Sequence, residues 1–334
     1  DVLDEESKAE AIARGQKELA YIIPYLRENC KGFANASLKA TAPQLYVRES
    51  RHIIGEYQLT IDDVLENRDC WDKIAIGSYP VDVQPTAQQT YGTVVGNPDR
   101  YAIPYRSIVP LEVENLLVVG RSASYKSLAA GSARVIPIGM AEGEAAGAAA
   151  AYAVNNSVAV REIAYDKTAV ASIQATLKAQ GAYLEDFDLP EEIMSHWAYD
   201  GVKTLRALGL LDGGYDNNYY LEEPMGKWRY QNMLNGVLNK AGIAHDYIEV
   251  NDNVPARQVI GTAARAAAGF VGVKNPDDFE GYKAWLLGEG ILTDELMPYF
   301  AESEAAPESD AVIMLCANLY KYLLAHGARG VQID

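Results

Sequence analysis

The chain has 334 residues, 49% of them apolar, which permits one large domain or two with a sizeable core. Its 46 acidic residues outnumber the 29 basic ones, and the net charge of −17 repels nucleic acid and anionic lipid surfaces. Cys30, Cys70 and Cys316 stand far apart, with no CxxC or His-rich ligand spacing, which argues against a zinc site or a disulfide framework.

In chain order, residues 4–30 place Ile12, Leu19, Ile22, Ile23 and Leu26 at helical spacing and predict one amphipathic helix, with Pro24 as a candidate kink. The sequence opens at Asp1 without Met and without a basic-then-apolar leader, which reads as a processed or cut product. QLYVRESRHIIGEYQL (44–59) reads as strand, and Thr60 then caps a short helix with Asp62 and Asp63 in its first turn. SYPVDVQ (78–84) alternates like a strand, 85–99 is a loop, and RYAIPYRSIVP (100–110) is extended and broken by prolines.

NLLVVG (115–120) is an apolar run that suits a buried strand of a parallel sheet. A loop of small residues follows, and Pro137 precedes a helix over about 138–154 lined by Gly139, Gly143, Ala146, Gly147 and Ala150. This Gly/Ala stretch is the most apolar of the chain and is too short to span a bilayer. A further helix covers roughly 167–180 and ends at Gly181, and EDFDLPEEI (185–193) reads as a linker.

Beyond it YDGVKTLRALGLL (199–211) aligns with FEGYKAWLLGEGIL (279–292), Gly201 with Gly281 and Gly209 with Gly290, and Met233–Leu234 align with Met314–Leu315. Two similar helical units of about 80 residues are the natural reading.

A strand ending in Gly, a small-residue loop and a Gly/Ala helix make the closing half of a dinucleotide site. A flavin needs free amide donors and a positive dipole end where its charge grows on reduction, and a helix start at Ile136, Pro137, Ile138, Gly139 and Met140 supplies them. Gly131, Ser132, Ala133 and Gly139 allow backbone to approach a ring closely, and Gly120 lets the strand turn under a ribityl chain. Ordinary parallel-sheet βα units carry such glycines too. The opening half, a Gly-rich GxGxxG phosphate loop, is absent from the sequence.

RESRHIIGEYQLTIDDVL (48–65), IAIGSYPVDVQ (74–84), YAIPYRSIVP (101–110), ENLLVVGRSAS (114–124), GSARVIPIGMAEGEAAGAAAA (131–151) and IQATLKAQGAYL (173–184) come in the order seen in bacterial FAD-dependent oxidoreductases. The stretch from about 40 to 184 resembles these relatives of the succinate dehydrogenase/fumarate reductase flavoproteins. The resemblance implies an α/β fold: an incomplete Rossmann-type flavoprotein portion, with mixed sheet and a substrate-cap region. It implies cap residues 1–112, the C-terminal part of an FAD-binding domain over 113–184, and FAD as cofactor. FAD need not stay on this chain alone, because the N-terminal half, on the same or a separate chain, would carry the phosphate loop.

Within the resemblance Arg134, in GSAR, matches a Gly-x-x-Arg stretch whose Arg sits beside the flavin and holds a substrate carboxylate; the alternative is a structural Arg that pairs a sheet-edge acid. Tyr105 and Arg106, in IPYR, read either as a proton donor and an anion clamp or as ordinary packing, and Arg121 stands where many relatives have a ribityl-binding acid. His52 reads as a strand residue, and Glu142 and Glu144 as helix-face charges. The expected reaction is hydride transfer between a small organic substrate and FAD.

SHWAYDGVKTLRALGLLDGGYDNNYYLEEPMGKWRYQNMLNGVL (195–238) resembles an S-layer homology module, so 185–334 is expected to be mainly α-helical, with Trp197 and Ala198 packing on Val202 and Leu205. Where that family has Thr-Arg-Ala-Glu this chain has Pro224–Met225–Gly226–Lys227, which puts cell-wall glycan binding in doubt. A non-catalytic surface or scaffolding protein that binds glycan or protein through this module is the rival reading.

Overall fold

A computed structural model describes residues 2–85, 91–274 and 276–332; the loop expected over 85–99 falls partly outside them. Helix accounts for 49% of the chain, and the sheets are small.

Helix α1 (Glu5–Asn29) starts where the Asp4 carboxylate accepts from the amides of Glu6 and Ser7, runs through Pro24, and buries none of its residues. The segment expected as strand over 44–59 is extended but forms no regular ladder. Its backbone is held by isolated bonds to the 106–124 region: Ile53 N–H to Ser122 O, Glu56 N–H to Val109 O and Leu59 N–H to Ser124 O. Helix α2 (Ile61–Leu65) carries the cap read from sequence as a reciprocal box, in which Thr60 accepts from Asp63 N and Asp63 from Thr60 N.

Four short strands follow: β1 (Lys73–Gly77), β2 (Asp82–Val83), β3 (Thr93–Val94) and β4 (Tyr101–Pro104). They pair antiparallel as β1–β4 and β2–β3. Opposite Gly77 stands Tyr101, and a Cβ on Gly77 would meet the Tyr101 ring at 2.4 Å. Glycine is required there because the ring crosses the strand to bring its hydroxyl to Ser132 Oγ, 2.6 Å away.

The expected buried strand at 115–120 is corrected. Leu116 is 41% exposed, and one ladder-like bond, Val118 N–H to Ile108 O, holds the run. An apolar strand of this kind is buried only when neighbours flank it on both edges, and among the described residues no parallel neighbour does. The small-residue loop after it contains helix α3 (Ser127–Ala133), whose Ala129–Ala133 are all buried.

Helix α4 (Ile136–Asn156) follows at once, with Pro137 in its first turn, and buries Ile138, Glu142, Ala145, Ala149 and Ala153 along one stripe. Helices α5 (Val160–Ile163) and α6 (Lys167–Ala179) close this core, α6 ending at Gly181 with φ +103.

The expected linker is pinned rather than free. Lys73 Nζ holds Asp186 at 2.6 Å, and Asn67 Nδ2 donates to Leu189 O and Glu191 Oε1 at 3.0 and 2.7 Å.

The second core is built by α7 (Tyr199–Ala207), α8 (Lys227–Lys240), α9 (Ala256–Val271), α10 (Phe279–Gly288) and α11 (Ser309–Ala325). Gly209 and Gly290 take φ +68 and +71 just after α7 and α10. Gly201 lets α7 lie against Met314 of α11, where an added Cβ would meet the sulfur at 2.8 Å. Ala198 is buried, and Trp197 stacks on Tyr299, centroids 5.1 Å apart, and donates to Asp310 Oδ2 at 2.9 Å.

The two cores meet at α2 and α7. Arg206, 1% exposed, reaches Asp62 at 2.6 Å; Lys203 bridges Glu66 at 3.1 Å; and Tyr199 donates to Glu66 at 2.8 Å.

Candidate functional site

The corner between α3 and α4 carries Arg134 and Val135 as their shared caps. Arg134 is nearly buried, its side chain 10% exposed. Nη1 donates to Glu49 Oε2 at 3.1 Å and Nη2 to the Asp82 carbonyl at 3.0 Å.

Glu49 gathers two more groups on its other oxygen, Ser127 Oγ at 2.9 Å and His52 Nε2 at 3.3 Å. His52 Nδ1 lies 3.1 Å from the Ala123 carbonyl. A carbonyl only accepts, and an ionised Glu49 only accepts, so this geometry suits a ring carrying protons on both nitrogens. The electrostatics agree. The hydrogen bond from His52 is the main cause holding Glu49 below its ordinary pKa, against the cost of burial. The bond to Glu49 is likewise the main cause raising His52.

Just before this cluster the chain turns at Gly120, where φ is +69. Gly120 N–H donates to Glu142 Oε2 at 2.5 Å, and Tyr125 O–H donates to Oε1 of the same carboxyl. Glu142 is fully buried, and desolvation pushes its pKa up to about 8 against the opposing bond from Gly120. The turn presses on the first turn of α4, so that a Cβ on Gly139 would lie 3.3 Å from Gly120 Cα.

No side chain caps the start of α4, and Ile136 and Met140 are 67% and 70% exposed. Pro137 is exposed and Ile138 buried. The helix therefore presents an open, uncapped amide end beside a side-chain-free approach at Gly120 and Gly139.

Other residues expected at the site go elsewhere. Gly131 packs against β2, where a Cβ would meet Val81 at 3.1 Å and Asp82 O at 3.2 Å. Ser132 is buried and engaged with Tyr101 and the Tyr79 carbonyl. Arg121 points to the Val47 carbonyl and lies over the Tyr46 ring.

Tyr105 is fully buried and its hydroxyl donates to Val160 O at 2.8 Å, which is the packing alternative for this residue. Arg106 is clasped bidentately by Asp72, at 2.8 and 3.0 Å, and lies over Tyr57 and Trp71.

Sequence reasoning assigns none of Glu49, His52 and Glu142 to the site. Glu142 is legible in retrospect: it falls on the same stripe as Ile138, Ala145, Ala149 and Ala153. Glu49 and His52 come from an irregular segment, and nothing local marks them.

The uncapped start of α4, the close Gly120–Gly139 approach and the Arg134–Glu49–His52 cluster thus lie along one stretch of the fold. A family model of FAD-dependent oxidoreductases matches residues 2–177, more than half of the chain. The protein belongs to that family, whose cofactor is FAD. No curated protein and no solved structure matches it.

The uncapped α4 start and the Gly120–Gly139 approach fit the ring end of FAD, and the sequence contains no GxGxxG loop for the pyrophosphate.

Proposed function

We propose that the chain contributes the flavin-ring and substrate side of an FAD-dependent oxidoreductase related to the succinate dehydrogenase/fumarate reductase flavoproteins. On this reading the substrate is a small organic acid, and the pyrophosphate grip comes from a segment outside these residues. Bound FAD supplies the hydride exchange. The remaining chemistry belongs to residues of this chain.

The observation that carries the reading is the cluster of Arg134, Glu49 and His52 beside the uncapped start of α4. Arg134 uses two of the five N–H donors of a guanidinium in the bonds above, and those remaining suit a substrate carboxylate. His52, whose pKa the bond to Glu49 raises, would on this reading give up or recover the proton that accompanies hydride movement. Ile136 and Met140 offer an apolar wall that would exclude water once covered.

The helical portion, 185–334, acts on this reading as a support packed on the flavoprotein portion rather than as a wall anchor. The buried Arg206–Asp62 pair supports that role.

The test is anaerobic mixing of the FAD-loaded protein with a panel of small 2-hydroxy and saturated dicarboxylic acids, while the visible flavin band is followed. Bleaching by a member of the panel that Arg134→Gln abolishes supports the proposal. Equal bleaching by wild type and Arg134→Gln refutes the role of Arg134.

A further inference from the structure

Glu142 is out of place by composition: a carboxyl in the middle of a Gly/Ala helix, with no exposed surface. Both oxygens are engaged, and by groups from one short stretch, the Gly120 amide and the Tyr125 hydroxyl. These bonds tie the exit of the 115–119 run to α4 at the point where Gly120 and Gly139 nearly touch.

We propose that Glu142 is a positioning residue: its carboxyl clasps the Gly120 turn against α4 and, by gaining or losing a proton, loosens or tightens the glycine approach to the flavin ring. The statement rests on the flavin reading of that turn.

The chemistry of the two partners sets the direction. Gly120 N–H and Tyr125 O–H both donate into the carboxyl, which suits the ionised form. Ionisation makes the Gly120 bond charge-assisted, hence shorter and stronger. Protonation leaves the acid with a hydrogen of its own to place, and the Tyr125 hydroxyl must turn to accept it.

Among the described residues, burial and the Gly120 bond are the causes that act on Glu142, with no cation among them. Lys73 of β1 is bound to Asp69 and Asp186, Arg161 of α5 to Glu56, and Arg121 to the Val47 carbonyl. On α6, Lys167 lies over Trp71 and Lys178 acts on Asp186. Tyr101 of β4 feels the Glu142 charge and is bound to Ser132, and Glu144 on α4 itself is exposed. The main influence on Glu142 is therefore its desolvation, and its titration lies in the range where cells operate.

The experiment follows the Gly120 amide resonance by NMR from about pH 6 to about pH 9.5, with FAD affinity measured by fluorescence quenching over the same range. Wild type is compared with Glu142→Gln, which keeps an acceptor for Gly120 but cannot ionise, and with Tyr125→Phe, which removes one donor.

In wild type the Gly120 resonance should move through one transition above neutral pH. FAD affinity should rise with the same midpoint, by about threefold or more. Glu142→Gln should fold, leave the resonance flat and remove the pH dependence of affinity. Tyr125→Phe should move the midpoint upward, because the carboxylate loses a donor. A Gly120 resonance that stays flat in wild type, or still titrates in Glu142→Gln, overturns the clasp. A normal Gly120 titration beside an FAD affinity that does not change with pH supports the clasp and refutes its link to the flavin ring instead.

Discussion

Arg134 Nη1 and Glu49 Oε2 lie 3.1 Å apart although 85 residues separate them in the chain. The contact joins the corner of α3 and α4 to an extended segment with no ladder of its own. It brings Glu49, and through it His52, to the side of the α4 start. The candidate site is thus assembled by a long-range ion pair rather than by a local motif.

The pair makes a prediction for His52. Its pKa is raised chiefly by Glu49, so Glu49→Gln should lower it, and an NMR titration of the ring would show the drop. The sign for stability follows. A His raised on folding contributes most below its unfolded pKa, about 6.5, and that contribution fades as pH rises through the folded value. Glu49, lowered on folding, contributes above about 4.3 and loses its contribution as pH falls through its folded value. The pair should therefore stabilise the protein most in mildly acid solution, and Glu49→Gln should flatten that part of a plot of Tm against pH. An unchanged His52 titration in Glu49→Gln would refute the coupling.

A second prediction concerns the seam between the two cores. Arg206 is almost fully buried on Asp62, and its removal leaves a carboxylate with only Lys203 at 3.4 Å. Breaking a buried pair from one side costs about 3–5 kcal/mol. Arg206→Ala should show a loss of about 3 kcal/mol in denaturant unfolding. A loss under about 1 kcal/mol, the range of exposed pairs, would mean the seam is not a fixed part of the fold.

Glycines divide by their surroundings. On α4, a methyl group placed on Gly143 would meet nothing within 4 Å, so Gly143→Ala should gain about 0.5–1 kcal/mol from helix propensity and unfolded-state entropy. On β1, Gly77→Ala should lose stability, since its methyl would overlap the Tyr101 ring. Thermal unfolding of the two variants should shift in opposite directions.

Tyr105 tests the reassignment of a residue from chemistry to packing. Tyr105→Phe removes one buried hydrogen bond, to Val160 O, and should cost about 1 kcal/mol of stability. Substrate turnover should be unchanged within about twofold. A loss of turnover without a loss of stability would return Tyr105 to the reaction.

Local signals in the sequence are reliable where they are self-contained. The Thr60 cap, the Asp4-led helix, the Pro137 helix start and the Gly181 helix stop all appear in the structure, because each rests on a few adjacent residues. The run at 115–119 misleads because burial of a strand is decided by its neighbours, not by its own apolarity. Helix α3 is hidden by its own small residues, which read equally as loop. Helix α9 begins after Pro255 without a side-chain cap, and its signal lies in Val259, Ile260, Ala263, Ala264 and Ala267 at helical spacing and in Gly272 at its end. The roles of Glu49 and His52 come from partners on α3 and at its end, which no local pattern reveals. Tyr105 and Arg106 stay open between site and packing in the sequence, because a motif position does not tell whether a side chain faces a cleft or the core.

The central claim is that the Gly120 turn and the first turn of α4 together receive the flavin ring. Titration of the protein with FAD, followed by quenching of the flavin fluorescence, tests it most directly, with Gly139→Leu beside Tyr105→Phe as a control of equal handling. Saturable binding is expected for wild type and Tyr105→Phe, with affinity at least about tenfold weaker for Gly139→Leu, whose side chain must fill the approach to Gly120. Binding of equal strength in all three proteins would overturn that reading.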